Sequence, residues 1–238
     1  HPRNPEGPGA LWVARVRPVM DGEWAFNQLF VNGERRTRAR TPNSGYFYTA
    51  GIAPRLLDPR TGQTSDQGNR AFRYAGDDIR NWKDLGEVVV VAYHSWETSR
   101  HHIAWVNEQE RIVHFTGPAV WAFENWGPKQ RYYVENYSEA LDAPGEWYLD
   151  RPTGVLSYRP VDGENMDTLT VVAPRTDQLV ILQGDAQMGL SVDHVRFQGI
   201  TFAHTHWSLP DQGYSSGQGM TDLPAAFQAR VATNCAVE

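Results

Sequence analysis

Short apolar and aromatic runs alternate along this chain with clusters of Gly, Pro, Asn and Asp, a pattern that predicts strands joined by turns. Residues 11–16 alternate well enough for a strand, and 24–31 (WAFNQLFV) form a stronger candidate, followed by the hairpin signal Asn32-Gly33. Residues 34–40 would return, polar on one side and carrying Arg35, Arg36, Arg38 and Arg40, an arginine row expected at an exposed hairpin edge. After a turn at 41–45 comes a short aromatic strand, 46–48, and then 52–69, which has little periodicity and reads as a surface excursion. Residues 77–82 suit one helical turn with an Asp as N-cap. The continuous run EVVVVAY (87–93) predicts a strand buried on both faces, and 99–106 with 111–115 predict a hairpin around 107–110.

The stretch 134–160, VENYSEALDAPGEWYLDRPTGVLSYRP, divides two unlike halves. Ala143-Pro144-Gly145 is a turn, 146–150 a strand, Arg151-Pro152-Thr153-Gly154 a second turn, and 155–158 a second strand closed by Pro160. Beyond it short apolar strands recur at 169–173, 179–184 and 192–202, the last bent at Gly199. Setting VDHVRF (192–197) beside ATNCAV (232–237) matches apolar to apolar at a shift of 40 residues. That is about two 20-residue coils of a parallel solenoid, or one coil carrying a long loop. The loop 205–224 (THWSLPDQGYSSGQGMTDLP) favours the second.

PGEWYLDRPTGVLSYRP, then LTVVAP and VRFQGITFAHTHW, resemble the large right-handed parallel β-helix proteins of carbohydrate breakdown, most of all family 141 glycoside hydrolases and their uncharacterised relatives. FNQLFVNGERRTRARTPNSGYF, PAAFQA and NCAVE extend the likeness to about half of the chain. The resemblance implies an all-β fold: a partial right-handed parallel β-helix interrupted by a small antiparallel β module. On that basis 1–69 is an N-terminal β segment, 70–130 the inserted module and 131–238 the β-helix coils. It also implies a fragment of a longer, secreted or periplasmic, polysaccharide-degrading enzyme of the fucosidase or xylanase kind. The strand-like ends at GALWVARV and NCAVE agree with a fragment. Solenoid coils cut from their neighbours should leave apolar ends exposed.

Composition narrows the partners. With 238 residues and 40% hydrophobic content the chain can hold one large β domain or two smaller ones, and 15 Pro with 21 Gly argue against long helices. Net charge is −6 and no basic run exceeds Arg35-Arg36, which excludes a nucleic-acid binder of the usual basic kind. No stretch approaches the roughly 18 apolar residues of a membrane helix, and the sequence shows no signal peptide. Cys235 is the single cysteine, so neither an internal disulfide nor a cysteine cluster for zinc is available, and no cofactor is implied. Nucleotide-binding, serine-hydrolase and metalloprotease motifs are absent. The expected partner is a polysaccharide or oligosaccharide, together with the remainder of a parent chain. Nine Trp, ten Tyr and nine Phe supply both core and sugar-stacking surface.

Glycosidic cleavage needs two carboxyl groups, roughly 5 to 9.5 Å apart, and the sequence identifies no such pair. Asp211, on the long loop, is the best single catalytic candidate, against a turn or cap role after Pro210. His204-x-His206 would put two imidazoles on one face of an extended strand, with Asp211 as a possible third metal ligand. The competing readings are a sugar groove, with Trp207 as platform and His204, His206, Tyr214 and Gln218 beside it, and plain packing. Trp96 and Arg100 can present a ring and a fork of donors to a sugar, or pack the β module. His1 raises the remote alternative of a copper-dependent polysaccharide oxidase. A non-catalytic carbohydrate-binding or structural segment is the standing alternative to an enzyme.

Overall fold

The computed structural model describes residues 10–57 and 64–238; the leader and part of the unpatterned stretch after Ile52 lie outside the described residues. The chain is all-β, with 35% strand against 5% helix, as frequent Gly and Pro require. Its sheets are mostly antiparallel or mixed. The chain divides into two compact units.

The first unit takes in residues up to Ala25, Arg36–Asp167 and Leu209–Thr221. Its centre is the valine strand Val89–Tyr93, flanked by the antiparallel strands Thr98–Asn107 and Arg131–Glu135. Ile112–Phe115, Ala71–Arg73 and Gly51–Ile52 extend the sheet on one side, and Arg40–Thr41 and Phe47–Tyr48 pair with Arg131–Glu135 on the other. Alternation along the strands sorts the side chains. Val90, Ala92, Ile103, Val113, Phe115, Tyr132 and Val134 enter one core, joined by Phe72, Ile79 and Phe123. Val89, Val91 and Tyr133 face the opposite side, where Tyr46, Tyr93 and Leu209 pack on them. The double burial expected of the valine run is what the sheet uses.

In a second sheet of this unit, Glu146–Asp150 lies between Val155–Tyr158, antiparallel, and Thr37 and Arg38, parallel. Trp12–Arg15 forms the outer strand. Trp147 is fully buried, and its indole nitrogen donates to the Arg36 carbonyl at 3.2 Å. Arg36 and Arg38 do not form an exposed edge. Arg36 meets Glu164 at 2.7 Å and Arg38 meets Glu135 at 3.8 Å, with side chains only 13% and 12% exposed. Residues 77–82 form no helix: a turn ends at Asp77, a bend follows at Asp78 and Ile79, and the Asp78 carboxylate accepts the Tyr132 hydroxyl instead of capping.

The second unit comprises Phe26–Arg35, Thr168–Ser208 and Asp222–Glu238. Leu29–Val31 pairs antiparallel with Val171–Val172; the expected strand over 24–31 is shorter because residues 24–28 adopt no strand. Three two-stranded parallel pairs follow: Val180–Gln183 on Phe227–Arg230, Val192–Asp193 on Ala232–Thr233, and Arg196–Phe197 on Ala236–Val237. The registers Val192↔Ala232 and Arg196↔Ala236 are those reached by matching apolar positions. Residues 200–208 form no strand, so the extended spacing that would align His204 with His206 is not present. Phe197, Phe202 and Phe227 meet edge to face at 5.3 to 5.6 Å, while Ile181, Met188, Leu190, Ile200 and Val237 are each more than half exposed. No helix among the described residues is long and apolar enough to cross a membrane.

Candidate carbohydrate-binding site

The turn between Val89–Tyr93 and Thr98–Asn107 is four residues long, His94-Ser95-Trp96-Glu97, closed by the His94 amide on the Glu97 carbonyl at 2.9 Å. Trp96 at its tip is 50% exposed. Its ring meets Trp126 at 4.7 Å and Trp121 at 5.8 Å, and those two meet at 5.2 Å, all edge to face. Trp126 is 44% exposed. Two of the three indole nitrogens converge on one acceptor: Trp96 and Trp121 donate to the Gly217 carbonyl at 3.2 and 3.4 Å. Aromatic rings fixed against each other and open to solvent on one side are a stacking surface with little rotamer freedom left to lose.

Leu209–Thr221 holds that acceptor in place by running along the open edge of Thr98–Asn107. Tyr214 exchanges two backbone hydrogen bonds with Arg100, both 2.8 Å, and so covers an edge that would otherwise be unpaired. The Thr116 hydroxyl donates to the Asp211 carbonyl at 2.6 Å, and the Val120 amide donates to Ser215 Oγ at 3.0 Å. Two glycines permit this approach. Gly213 has φ +77°, and a Cβ there would lie 2.5 Å from the Arg100 carbonyl oxygen; a Cβ on Gly117 would collide with the Gln212 backbone.

Below the tryptophans lies a buried polar group. His94 Nε2 is 2.8 Å from Ser99 Oγ and its Nδ1 is 3.2 Å from Gln130 Nε2, while the ring stacks on Phe123. Burial pushes His94 down to about 4, so it is neutral near pH 7, and its 3.6 Å approach to Glu97 is not an ion pair. Burial pushes the Glu97 carboxyl up, opposed by the Ser216 amide and the Ser215 hydroxyl. His101, stacked on Phe115 at 4.8 Å, is pushed down to about 3, chiefly by burial.

Of the residues singled out from sequence, Trp96, Arg100, Asp211, Tyr214 and Gln218 belong to this unit. Trp96 is part of the indole cluster, and Gln218 is exposed next to the Gly217 anchor. Tyr214 is half-buried and works through its backbone. The Arg100 guanidinium turns to the opposite face of the sheet, 3.0 Å from Glu135. Asp211 is exposed and touches the fold through its carbonyl. His204, His206 and Trp207 belong to the second unit. His204, at φ +66°, packs edge-on against Phe30 at 4.4 Å. His206 is buried with Nε2 2.9 Å from Ser208 Oγ, and the Trp207 carbonyl accepts from Asn27 at 3.3 Å. Among the described residues no group of three or more His, Cys, Asp or Glu is arranged to hold a metal ion. His1 lies outside the described residues. An open cleft in the second unit, lined by Asp185, Gln187, Leu190 and Arg230 among others, contains none of the residues singled out. Trp121 and Trp126 were missed, hinted at only by their share in an aromatic-rich chain, and Glu97 was missed as well.

The chain is similar to a solved glycoside hydrolase, with a TM-score of 0.65 and 25% identity over 86% of its length. The fold is glycoside hydrolase-like. This chain spans about a third of that protein, 35%. No family profile and no curated protein matches it.

Proposed function

We propose that this chain is a carbohydrate-binding part of a longer glycoside hydrolase acting on polysaccharide outside the cytoplasm, secreted or periplasmic. The observation that carries the reading is the indole cluster of Trp96, Trp121 and Trp126, locked by two hydrogen bonds to the Gly217 carbonyl and open to solvent. Glycan chains present flat C–H faces and hydroxyls, which a fixed aromatic surface with adjacent Gln218 and Ser95 suits. The likeness to a glycoside hydrolase supports the substrate class. The three parallel strand pairs, two of them offset by 40 residues, support one coil of a parallel β-helix stacked on the next, with 205–224 as the loop between them. The exposed Ile181, Met188 and Leu190 fit coils whose neighbours belong to the rest of the parent. The family 141 resemblance gives the same architecture.

On this reading the piece binds without turnover; Asp211, the catalytic candidate, is exposed and touches the fold through its carbonyl. Affinity-gel electrophoresis in soluble xylan, pectic and fucosylated glycans, run beside an assay of released reducing ends, tests it. Retardation without product, unaffected by Asp211→Asn, is expected. Product release abolished by Asp211→Asn would instead make the chain itself an enzyme.

A further inference from the structure

On the other face of the eight-stranded sheet, at the same end as the tryptophans, Arg131 lies among three tyrosines. It pairs with Tyr48 across the strands, and alternation puts Tyr46, Tyr48, Tyr93 and Arg131 on one face. Its guanidinium sits 5.2 Å from the Tyr46 ring centre and 5.5 Å from that of Tyr93, and those rings meet edge to face at 4.9 Å. Arg131 is exposed, as is Tyr48 at 49%.

The neighbouring arginines are committed elsewhere. Arg38 and Arg100 share Glu135, Arg36 has Glu164, and Arg151 has Glu87. Arg40 lies over Tyr133 at 3.8 Å and donates to the carbonyls of Pro42 and Gly45. Among the described residues Arg131 forms no ion pair and donates no side-chain hydrogen bond. A guanidinium bedded on rings keeps its edge N–H groups free for a planar or tetrahedral anion, which it can grip with two parallel bonds. Arg40 and Arg100 act electrostatically on Tyr93 and add positive potential there, while Glu135 is paired with Arg100 and the Glu124 carboxylate accepts from the Thr49 hydroxyl and the Lys129 amide. The net charge of −6 opposes indiscriminate capture of polyanions, so attraction here is local and specific.

We infer that Arg131, with Tyr46, Tyr48 and Tyr93, is a recognition point for an anionic group carried on a sugar, a uronate carboxylate or a sulfate ester. Tyr48 offers its open ring to the pyranose while Arg131 takes the charge. The inference deepens the carbohydrate-binding reading and rests on it, but it uses different residues.

The test is calorimetric titration of wild type, Arg131→Ala, Arg131→Lys and Trp96→Ala with oligogalacturonate, a sulfated oligosaccharide and a neutral xylo-oligosaccharide, with a thermal melt of each variant. Arg131→Ala is expected to weaken at least one acidic ligand about tenfold, an effect of the size charge-assisted pairs give, while neutral affinity stays unchanged. Arg131→Lys should restore only part of it, and raised salt should reduce the acidic preference. Which acidic ligand responds tells carboxylate from sulfate. No binding of either acidic ligand, or acidic affinity unmoved by Arg131→Ala, overturns the inference. Neutral affinity unmoved by Trp96→Ala counts instead against the tryptophan platform.

Discussion

The indole nitrogen of Trp96 donates to the carbonyl oxygen of Gly217 at 3.2 Å, joining positions 121 residues apart in the chain. The bond makes the orientation of an exposed ring depend on a distant loop. It links the packing of Leu209–Thr221 to whatever the tryptophans bind.

The loop should therefore be separable from the sheet by one methyl group. Gly213→Ala places a Cβ against the Arg100 carbonyl at a positive φ, which should cost about 1–3 kcal/mol. The expected result is a lower melting temperature with a red-shifted tryptophan emission, as Trp96 and Trp121 lose their common acceptor. A melt and emission spectrum identical to wild type would mean that the loop does not hold the rings.

Histidine burial predicts an acid-sensitive core. Folded His101 titrates at about 3 and His94 at about 4, whereas in the unfolded chain each titrates near 6.5. Below about pH 6.5 the unfolded state takes up protons that the folded state refuses, so stability falls as pH falls, by up to about 1.4 kcal/mol per pH unit for each histidine. The buried carboxyls of Glu97, Asp78 and Glu146 are raised and act in the opposite direction. Comparing wild type with His101→Phe, which keeps a ring stacked on Phe115, isolates one histidine. The urea midpoint of the variant should decline less steeply between pH 7 and about pH 4. Parallel declines would contradict the buried neutral state.

The Glu146 carboxylate holds a turn together. It is 2% exposed and accepts from the amides of Arg40, Asp142 and Ala143 at 3.0 to 3.2 Å, which fixes the turn at Ala143-Pro144-Gly145. Glu146→Ala should destabilise the fold by about 1–3 kcal/mol by leaving part-buried amides without their acceptor, measured as a shift in the urea midpoint. An unchanged midpoint would show that those amides find other partners.

The sequence made legible whatever depends on local pattern. Strands Glu146–Asp150 and Val155–Tyr158 fall where turn residues bracket β-formers, and the Val192↔Ala232 pairing follows from matching apolar positions. What it concealed depends on contacts far apart in the chain. Trp121 and Trp126 lie in an unpatterned stretch, and their role appears only when the Gly217 loop and the Trp96 turn meet them. Arg36 and Arg38 look like a solvent-facing row until Glu164 and Glu135, about a hundred residues on, draw them inward. The shared face expected of His204 and His206 is lost for a local reason, since the left-handed φ of His204 breaks the alternation that an extended strand requires.

Trp96 itself supports a simple expectation. Because the ring is half exposed, Trp96→Ala should leave the melting temperature nearly unchanged, while removing a central aromatic anchor weakens glycan binding by about 2 kcal/mol, roughly thirtyfold. A large drop in melting temperature would recast the ring as core.

The most direct measurement is affinity-gel electrophoresis of wild type, Trp96→Ala and Trp207→Ala in the same soluble polysaccharide. In a neutral polysaccharide such as xylan, Trp96→Ala should lose most of its retardation, and Trp207→Ala should stay retarded like wild type. Retardation lost only in Trp207→Ala, or kept in both variants, would contradict the placement of the sugar on the Trp96, Trp121 and Trp126 cluster.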